Sequence, residues 1–348
     1  MTPGVSRVVH CCGLWYNTDN DEIGKILRRS AMGCNIGRRG FVLGAAGALA
    51  VPSAGMTGCG SSCRGAAGYA LDPNRRLRIT VPGLGGEVRV FWASDTHLGL
   101  HDDRDDAYVG NYARMAQWPG SKDGFSAFLD KAKAGNADLV ALTGDIISFP
   151  TLANVEFAAS ALENCGVDWI YTAGNHDWHF EGDEGSDAEQ RSSWTKKRLM
   201  RMYPSGADPL MYSKVVKGVR FVAIDNSIYH ITEAQLEFWR HEVAKGDPVV
   251  LLMHIPLWVD GFDIDTCGNP AWGAAADEYW QVERRRKWAE RQSPETFALR
   301  REVLSAPNLV AVFTGHIHRG LTASEQGKFL FTIPYNAKGF YRDVRISG

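Results

Sequence analysis

The chain has 348 residues, 45% of them hydrophobic and 22% charged, with a formal net charge of -2. That length exceeds an average domain but suits one α/β core plus an extension, and the composition is that of a globular protein. The near-neutral balance, with no long Lys/Arg run, excludes the electrostatic footprint of a nucleic-acid-binding surface, so no nucleic-acid partner is expected.

The first 70 or so residues differ from the rest. Gly37-Arg38-Arg39-Gly40-Phe41-Val42-Leu43 places an aromatic two positions after an arginine pair, and the small, apolar run from Gly44 to Ala54 follows. A bilayer span needs about 20 apolar residues, so this run is too short to cross. It resembles a twin-arginine export signal, which implies an extracytoplasmic destination, periplasm or cell surface. Met56-Thr57-Gly58-Cys59 resembles a lipoprotein cleavage box; the resemblance implies a lipid anchor at Cys59, the one membrane attachment expected, with plain cleavage near Ala54 as the alternative. The Gly/Ser-rich run from Cys59 to Gly68 then reads as a flexible tether. Met32 offers a second start, so residues 1–31 are either an upstream extension or a long signal n-region. The chain is therefore expected to divide into an export signal with tether, residues 1–70, and a folded domain, residues 76–348. The seven cysteines form no CxxC zinc pattern, and Cys165 reads as a buried free thiol rather than a disulfide partner of Cys267.

From residue 77 onward the pattern alternates between apolar runs and helical spacings. Leu77 to Val81 and Val88 to Ala93, separated by Gly83, Gly85 and Gly86, suggest a hairpin leading into the first core strand, which ends in Ser94-Asp95-Thr96-His97. The acidic segment His101 to Asp106 lacks the glycine and glutamate of a calcium loop and reads as a solvated turn. Phe125, Phe128, Leu129 and Ala132 fall at helical spacing and stop at Gly135-Asn136. Leu139 to Thr143 is then a strand buried on both faces, ending in Gly144-Asp145. A second helix from Asn154 to Asn164 leads to the strand Val167 to Thr172, which ends in Gly174-Asn175-His176-Asp177. Strand, helix, strand, helix, strand implies parallel pairing with right-handed crossovers, which puts all three polar clusters on one sheet edge.

A charged insertion, His179 to Met211, follows, with a helix expected around Trp194 to Met202. Tyr212 to Val216 and Val219 to Ile224 begin a second sheet. Thr232 and Gln235 have capping-box spacing, and Leu236, Trp239 and Val243 make the apolar stripe of the helix they open. Val249 to Met253 delivers His254. A second insertion carries Trp258, Phe262, Trp272, Tyr279, Trp280 and Trp288, rings that pack a lid or line a substrate pocket. Ser293-Pro294 opens the last helix, Leu309 to Phe313 delivers Thr314-Gly315-His316-Ile317-His318, and Phe329 to Ile333 with Tyr341 to Ile346 are expected to finish the second sheet.

Five polar clusters thus stand behind apolar strands, each with residue types that bind metal. Two divalent ions about 3.5 to 4 Å apart need a shared ligand, several other donors and open positions for water and substrate. Asp and His donors with one Asn amide oxygen and no thiolate suit Mn, Fe, Zn or Co. Five of the ten histidines (His10, His101, His179, His230 and His241) lie outside the clusters and are given no role.

The ordered set Asp95-x-His97, Gly144-Asp145, Gly174-Asn175-His176-Asp177, His254 and Gly315-His316-x-His318 resembles the calcineurin-like metallophosphoesterase family. The resemblance implies an α/β fold, a four-layer αββα sandwich carrying the two inserted loops. It implies one metal on Asp95, His97 and His318, another on Asn175, His254 and His316, and Asp145 bridging both. The expected activity is hydrolysis of phosphomonoesters or phosphodiesters, with a phosphate ester as the substrate partner. His176 is expected to protonate the leaving oxygen, and Asp177 to steer its ring or a metal-bound histidine. Ser148 stands where protein phosphatases of this kind carry a second Asp and purple acid phosphatases a Tyr, which argues against both subgroups. The competing reading is a non-catalytic metal-binding module that keeps the fold.

Overall fold

The computed structural model describes residues 68–71, 76–108, 120–180, 183–257 and 293–348. The export motif, Cys59, Cys267 and the rings from Trp258 to Trp288 lie outside the described residues.

Two six-stranded sheets form the centre. The first runs β1 (Gly68–Leu71), β2 (Arg76–Thr80), β12 (Arg342–Ser347), β3 (Glu87–Ala93), β4 (Leu139–Thr143) and β5 (Trp169–Thr172). The second runs β10 (Leu321–Glu325), β11 (Lys328–Thr332), β9 (Leu309–Thr314), β8 (Val249–Leu252), β7 (Val219–Ile224) and β6 (Met211–Val216). β3, β4 and β5 pair in parallel, as do β7, β8 and β9, so all six end on the same kind of edge. This is the arrangement that places ligands outside the carboxyl ends of strands.

Period-two alternation builds the layers. Val90 and Trp92 face the second sheet and join Phe221, Leu252, Ala311 and Phe313 in a central core. The Trp92 and Phe313 rings stack there with centroids 4.3 Å apart. Phe91, Ala93, Val140 and Leu142 face the other way, against α1 (Ser121–Ala134) and α2 (Leu152–Cys165). On the far side Val222, Leu251 and Val312 pack against α4 (Glu233–Ala244) and α5 (Pro294–Ser305). The result is the expected αββα sandwich. The helix starts follow local chemistry: Thr151 caps α2, Thr232 and Gln235 form the capping box of α4, and Ser293 caps α5 with Pro at its first turn.

Four local expectations are corrected. β12 lies in the first sheet, parallel to β2 and antiparallel to β3, so Tyr341 to Ile346 does not finish the second sheet. By entering between β2 and β3 it also abolishes their hairpin: the last strand carries Val344 and Ile346, fully buried, into the central core, a non-local gain the glycine-rich connection could not reveal. The helix of the first insertion, α3 (Asp187–Lys197), starts earlier than the Trp194 periodicity suggested, because Ser186 and Glu189 form a capping box upstream. The acidic segment forms 3-10 turns over Asp103–Tyr108 with a kink at Asp105, which is buried, accepts from Leu152 N at 2.7 Å and pairs with Arg198 Nη1 at 2.6 Å. It fastens the insertion to the start of α2. Cys165 is buried and free, as expected.

Candidate metal centre

Each expected donor arrives at the end of a strand. Asp95, His97, Asp145, His316 and His318 all have φ between 51 and 69°, a left-handed region seldom used by residues with a side chain. The turn immediately after each strand aims the side chain back across the sheet edge, a strain typical of functional sites.

Two groups of donors result. Asp95, His97 and His318 form one, and Asp145, His254 and His316 the other, with the ligand atoms in each group within 4.8 Å of one another. In the first, His97 Nε2 lies 3.1 Å from His318 Nε2, and Asp95 Oδ1 lies 3.3 Å from His318 Nε2. In the second, His254 Nε2 lies 3.3 Å from His316 Nδ1 and 3.2 Å from Asn175 Oδ1, which brings the amide into the set. Asp145 Oδ2 stands between them, 3.2 Å from His254 Nε2 and 3.9 Å from His97 Nε2. All seven expected donors are therefore brought together. So many lone-pair donors facing one another, with so few protons to separate them, fit divalent cations chemically.

Glycines permit the approach. A Cβ on Gly174 would overlap the Asp145 carboxylate, and one on Gly315 would overlap Ser94 and the Asp95 carboxylate. His316 N donates to Asp95 Oδ2 at 3.0 Å and His176 N to Asp145 Oδ1 at 2.8 Å, so backbone amides orient both carboxylates. His254 Nδ1 donates to Thr143 O at 2.7 Å, which fixes the tautomer and turns the Nε2 lone pair toward the site.

The charges agree with this role. Burial pushes the His97 imidazole down to about 3, against the pull of Asp145, so it is neutral and able to donate a lone pair. Burial also disfavours a charged His254, but the Asp145 carboxylate at its Nε2 outweighs it and raises that imidazole to about 9. A cation placed between the same two atoms would displace that proton. Burial alone would raise the Asp145 carboxyl; the His254 and His176 imidazoles reverse this and hold it well below the usual carboxylate range.

Asp177 does not steer an imidazole through its carboxylate. Its Oδ2 accepts from Asp145 N at 2.9 Å and Gly174 N at 2.7 Å, and its Oδ1 accepts from Ile147 N at 3.0 Å. It is a buried clamp joining the loops after β4 and β5, which corrects the role expected of it. His176 sits at the mouth of this clamp with its ring centroid 5.0 Å from that of His97, and its Nδ1 is buried without a hydrogen-bond partner among the described residues.

Two buried asparagines were missed by the sequence reading. Asn226, after β7, accepts from His254 N and Ile255 N, both at 3.1 Å, and donates to Ile255 O at 2.7 Å. Asn336 N donates to Ser94 O at 2.8 Å, and its Oδ1 lies 3.1 Å from Thr96 Oγ1. The signal for the first was present: Asp225-Asn226-Ser227 stands behind an apolar strand just as the donor clusters do.

The family model described as calcineurin-like phosphoesterase matches residues 88–320. The chain belongs to that family. It is accordingly a metal-dependent phosphoric ester hydrolase, whose substrates are phosphate esters. A probable cyclic nucleotide phosphodiesterase of Psychrobacter arcticus (strain DSM 17307 / VKM B-2377 / 273-4) is 24% identical over 269 residues, 73% of this chain and 82% of that protein. Another from Psychrobacter sp. (strain PRwf-1) is 26% identical over 224 residues, 60% of this chain and 56% of the relative. Among solved structures, a dimetal phosphatase from Danio rerio aligns with a TM-score of 0.45 at 14% identity, covering 72% of this chain and 88% of that one.

Proposed function

We propose that this phosphoesterase is a dinuclear phosphodiesterase acting on cyclic nucleotides, with Asp95, His97 and His318 holding one divalent ion, Asn175, His254 and His316 the other, and Asp145 both. The position of Asp145 Oδ2 between the two donor groups carries the dinuclear reading. The diesterase reading is supported by the two Psychrobacter relatives, whose names give that substrate class. The donor set suits Mn, Fe, Zn or Co.

When bound, such a pair supplies water acidic enough to attack phosphorus near neutral pH and neutralises charge on the phosphoryl oxygens. The chain's own residues do the rest. Backbone amides hold Asp95 and Asp145 in fixed orientation, so the donors need not reorganise as charge develops. As the oxygen of water bonds to phosphorus and gives up a proton to solvent, the P–O ester bond breaks and His176 gives its proton to the leaving oxygen, regaining one from solvent before the next turnover. Burial lowers the His176 imidazole, and the Asp145 carboxylate opposes this. Such proton donation is worth about 10² to 10⁴ in rate.

The test is hydrolysis of 3′,5′-cyclic nucleotides beside the matching 5′-monophosphates, after chelation and after return of Mn, Zn, Co or Fe, with metal analysis of the same sample. Metal-restored activity on the cyclic esters is expected. Activity confined to the monophosphates would overturn the diesterase reading, and full activity with one equivalent of metal the dinuclear one.

We also propose that residues 1–70 export the folded domain to the periplasm or cell surface, with a lipid on Cys59. The arginine pair and the cleavage-box motif support this.

A further inference from the structure

We propose that Arg191, on helix α3 of the first insertion, is a positioning residue for the ion on the His254 side, acting through a buried line of hydrogen bonds from Arg191 to Asp225, Ser227 and Trp178. The inference rests on the dinuclear reading and names what holds two of that ion's ligands in place before it binds.

The line is continuous. Arg191 Nη1 donates to Asp225 Oδ1 at 3.3 Å, and the same oxygen accepts from Ser227 N at 2.8 Å and from Ser227 Oγ at 2.5 Å. Ser227 Oγ in turn accepts from Trp178 Nε1 at 2.8 Å. All four side chains are buried. Trp178 stands three residues after the ligand Asn175, in the same loop. The residue beside Arg191 on α3 grips that loop as well, since Gln190 Oε1 accepts from His179 Nδ1 at 3.1 Å. Between Asp225 and Ser227, Asn226 holds the backbone that bears His254 by three hydrogen bonds. Two neighbouring residues of one helix therefore fasten both the loop that carries Asn175 and the loop that orients His254.

The donors at the end of β3 are fastened from a different part of the chain. Asn336 N donates to Ser94 O at 2.8 Å, Ala337 N donates to Asp95 O at 3.2 Å, and Asn336 Oδ1 lies 3.1 Å from Thr96 Oγ1. The two ions thus have separate supports, and damage to one support should reach one ion. Burying a charged pair costs desolvation that its own attraction repays only with further hydrogen bonds, so packing alone is a poor reason for Arg191 and Asp225 to be where they are. Partners behind a metal's ligands keep those ligands ordered in advance, and losing such a partner typically weakens metal affinity about tenfold to hundredfold.

The full protein, stripped of metal, is titrated with manganese by calorimetry, and the step missing from Asn175→Ala identifies the ion on the His254 side. Ser227→Ala breaks the line without changing charge; Arg191→Gln breaks it at its origin and is the second variant should the first not fold. Each is expected to raise the dissociation constant of that ion about tenfold to hundredfold and to leave the other within about threefold of wild type. Arg220, near the start of the same strand that Asp225 follows, donates to the buried Glu242 Oε2 at 2.8 Å and supplies the comparison. Arg220→Ala breaks a pair of the same kind at the far end of β7, so it is expected to lower the midpoint in urea and leave both dissociation constants unchanged. Variants that bind the His254-side ion as tightly as wild type, a similar weakening of both ions, or an equal loss in Arg220→Ala would each overturn the assignment while leaving the dinuclear reading intact. A wild type that takes up only one equivalent of manganese sinks that reading and this inference with it.

Discussion

Asp145 is where the geometry makes its sharpest demand on a single side chain, since one of its oxygens faces both donor groups. Asp145→Asn keeps the shape and removes the charge, so elemental analysis is expected to show loss of both ions, whereas Asn175→Ala loses only the ion on the His254 side. An Asp145→Asn protein retaining two equivalents would refute the bridging assignment. The glycines are equally demanding, for steric reasons. Gly315→Ala drives a methyl into Ser94 and the Asp95 carboxylate, and overpacking of that kind costs about 1–3 kcal/mol. A lowered midpoint in urea, together with reduced metal content, is the expected result. The donor types were legible in the sequence because each stands behind an apolar run. That Asp177 would bind three backbone amides was not, because an Asp beside a His is compatible with either partner until the two loops are brought together.

At the scale of elements, the two sheets are latched at one edge by a single hydroxyl. Tyr212 on β6 accepts from Tyr171 N at 2.7 Å and donates to Tyr171 O at 2.9 Å, so it satisfies the buried outer edge of β5 from the opposite sheet. Tyr212→Phe leaves both backbone groups unpaired, and a loss of about 1–3 kcal/mol in chemical denaturation is expected. A loss within error would mean that water replaces the hydroxyl. The strands and helices around this latch followed from periodicity and capping signals. Two things did not: the insertion of β12 between β2 and β3, and the burial of Asp105 against Arg198. Both depend on partners far along the chain, for which local alternation carries no information.

For the whole molecule, the proposed export signal gives a prediction independent of the active site. Replacing Arg38 and Arg39 by Lys is expected to leave the protein in the cytoplasm on cell fractionation, and Cys59→Ser to abolish incorporation of labelled fatty acid while export persists. Membrane-bound protein carrying Cys59→Ser would refute the anchor. Within the folded domain, the sequence by itself determined the succession of strands and helices and the polar clusters behind the apolar runs, because strand ends are where polar residues escape the core, while the layer order and the expected donor set came with the family resemblance. Tertiary structure alone decided which loops clasp one another, where the last strand enters and how Arg191 comes to pair with Asp225. Those arrangements are set by contacts between residues separated by tens to hundreds of positions, and hydrogen bonds of that kind have no period that a linear pattern could display.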